Sequence, residues 1–319
     1  MKELKISTLW CNEFSENSLF FHLIKNISKR EIKIVPPHKS DLIFIGSYDN
    51  YYKRNFLNIA RNKFKIIDKI YPNIDLYFLN RKMKPVRIFI SFENRFLSNV
   101  KNDFSITQMH NIHDKTHLRF PIWKDLIDWS HLDIKRSPTK FVKRFDNYYN
   151  INKLMAPLGD NFMKKPRKIC IFSSHLNEPR KSMYYFFSKY FSVEGYGPYF
   201  DTKISNHNSS IFSKKKILKD YAFNLCPENS LYPGYYTEKV PEAFLSESLP
   251  LAWSDSGINK EFNARAFINL INYHDNYLEI CHLLQDEDYL KKFTYEPLLL
   301  AAPDLSKEYN FIKKVLDCL

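Results

Sequence analysis

Short apolar runs alternate with segments whose apolar residues recur at helical spacing, and this alternation runs the length of the chain. It narrows the fold more than any other feature, because strands joined by crossover helices build α/β architecture. Strands are expected over Lys5 to Trp10, Glu31 to Val35, Asp41 to Gly46 and Val86 to Ser91, with a helix over Ser18 to Ile27. Tyr51 to Asn80 reads as helix with a connecting segment. From Ile151 to Arg167 the periodicity lapses, and Pro157, Gly159, Pro166 and a basic cluster mark an interdomain linker. A second α/β set begins near Lys168, with strands over Lys168 to Ser174, Tyr221 to Cys226, Leu249 to Trp253 and Phe267 to Leu270. Helices are expected over Arg180 to Phe191 and Thr237 to Ser246. At 319 residues the chain exceeds what one core ordinarily supports. Two domains, 1–155 and 156–319, are therefore expected.

Apolar residues at 44% and aromatics at 16% exclude a disordered chain. The formal net charge of +13 attracts anions, which leaves open nucleotide phosphates, nucleic acid or an anionic membrane face. The basic residues are scattered in short groups such as Lys214, Lys215 and Lys216, without a long basic tail. Five cysteines, Cys11, Cys170, Cys226, Cys281 and Cys318, are widely separated and odd in number, and read as reduced thiols. No segment reaches the roughly 18 apolar residues of a spanning helix, and "MKELKISTLW" lacks the apolar core of a signal peptide. A soluble or membrane-peripheral cytoplasmic protein is expected.

The chemistry concentrates in Tyr221 to Leu270, which reads as strand, polar turn, helix, strand. The turn holds Glu228, Asn229, Ser230, Tyr235, Thr237, Glu238 and Lys239 beyond the strand's C-terminal end, the edge where open α/β sheets bind ligands. Thr237 suits the helix N-cap and Pro241 its first turn, so the helix start is a candidate anion site with Lys239 adding charge. A capped helix after a polar loop would carry the same letters.

The run "YAFNLCPENSLYPGYYTEKVPEAF", followed by "LPLAWSDSGINKEFNARAFINL", resembles the donor-binding signature of the α-1,3/4-fucosyltransferase family, glycosyltransferase family 10. Weaker similarity extends to "CIFSSHLNEPRKSMYYF" and, in the first half, to "VRIFISFENRF". The resemblance implies a GT-B fold, two Rossmann-like domains facing each other across a cleft. The first would be the acceptor side, and the second would hold the nucleotide sugar. It also implies inverting transfer of fucose from GDP-fucose, or of another GDP-sugar, to a glycan acceptor.

By the same resemblance, Glu93, just past the Val86 to Ser91 strand, is the catalytic base. Arg180 and Lys239 match positions that neutralise the diphosphate, and Asn229 and Tyr235 match positions that hydrogen-bond its oxygens. Glu238 matches the carboxylate that holds ribose or sugar hydroxyls. No metal or other cofactor is required by this reading. Asp286, Glu287 and Asp288 read as a solvated face, and His113 and His117, with His110, lie in a segment read as loop. The rival class is a basic nucleic-acid-binding protein, set against by the lack of any nucleic-acid fold signature.

Overall fold

The computed structural model describes residues 3–9, 11–47, 85–93, 102–110, 112, 114–200, 213–273 and 276–319. The expected helix over Tyr51 to Asn80 lies outside these residues. Within them the chain divides into two compact units. The first comprises 1–120, 134–136 and 304–319, and the second 121–133 and 137–303.

The first unit carries a parallel sheet in the order β2 (Ile32–Ile34), β1 (Leu4–Leu9), β3 (Leu42–Gly46), β4 (Val86–Ser91), β5 (Phe104–Thr107) and β6 (His117–Arg119). Every residue of β3 is buried, as expected of an inner strand in a parallel sheet covered on both faces. The helix Leu19–Ser28 buries Leu19, Phe20, Leu23 and Ile24, one face at helical spacing. Ser18 Oγ caps it by accepting from Phe21 N–H at 3.3 Å. Ser18→Ala is expected to lower unfolding free energy by about 1 kcal/mol, measured by denaturant titration.

The second unit carries a parallel sheet in the order β11 (Ile268–Asn269), β10 (Leu249–Trp253), β9 (Phe223–Pro227), β7 (Ile169–Phe172) and β8 (Val193–Tyr196). The chain leaves β7 toward β8 and then returns to the other side of β7 for β9. The direction of winding therefore reverses between β7 and β9, and the C-terminal ends of strands at such a reversal are where open α/β sheets bind ligands. Gly197, just past β8, has φ +105°, and a Cβ there would lie 2.6 Å from the Ser173 carbonyl oxygen, so the close approach requires glycine.

Several expectations are corrected. The units are not divided at 155/156, because the C-terminal helix Ser306–Leu316 packs on Leu19–Ser28 in the first unit, with Phe311 edge-on to Phe104 at 5.7 Å. The segment read as a linker contains the helices Ile151–Met155 and Asn161–Lys164 within the second unit, burying Leu154 and Phe162. Each is too short for a periodicity to register. The helix expected to reach Phe191 ends at Phe187. His117 lies in strand β6, not in a loop, with its Nδ1 2.9 Å from Ser105 Oγ. The described cysteines are free thiols, with Cys170, Cys226 and Cys281 buried. Among the described residues no helix is long and apolar enough to cross a membrane.

Candidate active site

The C-terminal ends of β7 and β9 are organised around Glu228, the first residue past β9 and only 3% exposed. Its Oε1 accepts from Thr237 N–H at 2.8 Å and from Thr237 Oγ1 at 2.9 Å. Its Oε2 accepts from Lys239 Nζ at 2.5 Å. One buried carboxylate thus ties the end of the strand to the start of the helix Lys239–Leu245, closing residues 229–236 into a loop. Thr237 was expected to cap that helix. Its hydroxyl is instead engaged by Glu228 and by Lys239 Nζ at 2.7 Å, and the N-cap position falls to Glu238 without a side-chain cap bond.

Arg180 opens the helix Arg180–Phe187 after β7 and is 5% exposed. Its Nη2 donates to Asn229 Oδ1, and Asn229 Nδ2 donates to the Tyr235 hydroxyl at 3.2 Å. Arg180 Nη1 donates to Ser173 Oγ at 3.3 Å. Arg180, Asn229 and Tyr235 therefore form one hydrogen-bonded chain across the loop.

Glu238 and Lys239 stand beside that chain. Burial raises the Glu238 carboxyl, but Lys239, Lys214 and Arg144 outweigh it and hold the group at about 2. Burial lowers the Lys239 ammonium, and Glu228 and Glu238 overcome this to raise it above the usual lysine value. Both groups stay charged throughout the neutral range. Because the folded value of Glu238 is depressed, its stabilising contribution is present above the ordinary carboxylate range and is lost only as pH falls toward 2.

The structure thus brings together Arg180, Asn229, Tyr235, Glu238 and Lys239 in the second unit. Glu93 belongs to the first unit, on the loop after β4, half-buried. Its N–H donates to Ser91 Oγ at 3.3 Å, and Ser91 Oγ is also 3.0 Å from Ser47 Oγ. Burial is the main influence raising the nearby Glu13 carboxyl, and the charge of Glu93 adds to it.

Four further side chains were not assigned a place at the site by the sequence. Glu228 was visible in the polar turn, but nothing marked it as buried. Arg144, on the helix Lys140–Phe145, ion-pairs with Glu238 at 3.7 Å from 94 positions away (238 − 144). Lys214 and Glu242 form a buried ion pair beneath the helix start, Lys214 coming from one of the short basic groups. Among the described residues no group of three or more His, Cys, Asp or Glu could hold a metal ion. The arrangement offers two fixed cations and a hydroxyl-accepting carboxylate at one sheet edge, which is what a polyhydroxylated diphosphate requires.

Residues 162–297 match the family model "Glycosyltransferase family 10 (fucosyltransferase) C-term". An alpha-(1,3)-fucosyltransferase of Helicobacter pylori is 25% identical over 200 residues, covering 59% of this chain and 41% of that protein. A putative fucosyltransferase of Acanthamoeba polyphaga mimivirus is 27% identical over 158 residues, covering 46% of this chain and 26% of that protein. The chain thus spans less than half the length of these curated relatives. A crystal structure of an alpha1,3-fucosyltransferase superposes with TM-score 0.67 at 21% identity, covering 99% of this chain and 90% of that one. The same comparison with a structure holding GDP-fucose gives TM-score 0.63 at 21% identity, covering 99% and 88%. These superpositions concern the fold, and they bear out the expected GT-B class with its two parallel α/β sheets. The family resemblance read from the signature is likewise borne out over the matched span.

Proposed function

We propose, from the premise that residues 162–297 are a glycosyltransferase family 10 C-terminal domain, that the protein is an inverting α-1,3-fucosyltransferase. It moves fucose from GDP-fucose to a hydroxyl of a glycan acceptor, of N-acetyllactosamine type or a surface polysaccharide repeat. The observation that carries this reading is the closed loop in which Arg180, Asn229 and Tyr235 are hydrogen-bonded beside Lys239.

In this mechanism Glu93 takes the proton of the acceptor hydroxyl as that oxygen attacks the anomeric carbon. The bond from that carbon to the diphosphate oxygen breaks on the opposite face, and the configuration inverts. Negative charge grows on the departing diphosphate, where Arg180 and Lys239 are already in place to receive it. A guanidinium forks onto two phosphate oxygens, whereas the ammonium acts as a point charge. Glu238, ionised and accepting only, takes hydrogen bonds from ribose or sugar hydroxyls. The positive charge comes from the protein, so the reaction is written without a metal.

Transfer from another GDP-sugar is the second reading. It is favoured by the "AWSDSG" segment, which spans the end of β10 and the turn after it and differs from the family pattern. Thermal-shift measurements with GDP, UDP and dTDP separate the nucleotide class. A ligand at about 100 times its Kd adds about 2.7 kcal/mol to stability. A rise of a few degrees in Tm with GDP and not with the others is expected. Equal shifts with all three, or a shift with UDP alone, would sink the assignment.

A further inference from the structure

His175 lies in the loop between β7 and Arg180, at the strand end where the winding of the sheet reverses. Its Nε2 is 3.2 Å from Arg180 Nη1, and its Nδ1 is 3.0 Å from Ser174 Oγ. The loop is pinned beneath it, since Ser173 Oγ donates to the His175 carbonyl at 2.5 Å and accepts from Arg180 Nη1 at 3.3 Å. An imidazole nitrogen this close to a guanidinium N–H can only be accepting, so the ring is neutral in this arrangement. The charged groups around it are Arg180 from its own helix start and Lys239 from the facing helix. Burial first, then these two cations, push its pKa below the usual histidine value.

A diphosphate would reverse that balance. Arg180 would turn its N–H from the imidazole to a phosphate oxygen, leaving Nε2 free to take a proton and donate in turn. We infer that His175 is a third ligand of the donor diphosphate, neutral when it faces only Arg180 and Lys239 and protonated once the anion lies against all three. This inference rests on the nucleotide-sugar reading above and adds to it a proton taken up on binding.

The sign follows from linkage. Because the bound form holds the proton more tightly than the free form, affinity is greatest at acid pH. It declines as pH rises through the interval between the two pKa values. Calorimetric titration of the whole protein with GDP, at pH 6.0 and pH 8.5 and in buffers of different ionisation heat, reads both affinity and protons taken up. The titration of GDP itself is common to every variant and cancels in the comparison. At pH 6.0 His175→Gln is expected to bind about fivefold more weakly than wild type and to take up fewer protons, with a difference under about twofold at pH 8.5. His175→Lys, with a permanent charge, is expected to bind at pH 8.5 at least as tightly as wild type. If His175→Gln matches wild type in affinity and proton uptake at pH 6.0, His175 is not a ligand. If wild type binds no GDP at either pH, the donor reading fails and this inference with it.

Discussion

Glu93→Gln is expected to lower transfer by about 10³-fold while GDP affinity stays within about twofold, because a positioned general base contributes roughly 10²–10⁴ in rate. The substitution keeps the shape of the side chain and removes its charge together with its capacity to accept a proton. The backbone of the loop after β4 is held by Ser91 Oγ, which donates to the Glu93 carbonyl and accepts from the Glu93 N–H, and the substitution leaves both contacts in place. The donor residues all lie in the other unit, so their hold on GDP has no reason to change. Initial-rate measurements with a saturating glycan acceptor, together with a GDP titration of the same preparation, read the two quantities separately. Near-wild-type turnover would remove Glu93 from the chemistry, whereas a parallel loss of GDP affinity would recast it as a structural residue.

Lys239→Met should have the second large effect, on two readouts at once. Glu228 is buried and depends on the Lys239 ammonium, and breaking such a pair by removing one partner costs roughly 3–5 kcal/mol. The diphosphate loses a partly buried cation at the same time, which should weaken GDP about 100-fold. Adding Glu228→Gln to Lys239→Met distinguishes the two contributions. The second change removes the orphaned charge and should recover part of the lost stability in denaturant unfolding, but it should not restore GDP binding. If the double variant regains GDP affinity, Lys239 serves the loop and not the ligand.

The strands β1, β2, β3, β4, β7, β9, β10 and β11 were legible because each lies in an apolar or alternating run bounded by turn residues. The strands β5 and β6 were not, since "FSIT" and "HLR" are short and half polar, without a bounded apolar run around them. β8, "VEGY", carries a glycine and a charge at a sheet edge, where side chains need not be apolar. The C-terminal helix was read with the second half because sequence proximity is the default. Its burial of Phe311, Ile312 and Val315 against the first unit is a long-range fact that no local pattern encodes.

At the site, the motif gathered Arg180, Asn229, Tyr235, Glu238 and Lys239 into one neighbourhood, as the structure does. It could not say which hydroxyl or carboxylate would serve which partner. Thr237 is a good helix cap by residue type, and a buried Glu228 nearby outcompetes that role with two hydrogen bonds and a charge. Arg144 carries no local signal, because it reaches the site through the packing of a separate segment, and His175, five residues before Arg180 in the same loop, has nothing in its local pattern that sets it apart.

The most direct measurement of the central claim, that the loop after β9 and Arg180 together grip a nucleoside diphosphate, is a calorimetric titration of GDP into wild type and Arg180→Ala. One site per chain in the wild type, with affinity falling about 50-fold or more in the variant, is the predicted result. Unchanged GDP affinity in Arg180→Ala, or no GDP binding by the wild type, would contradict it.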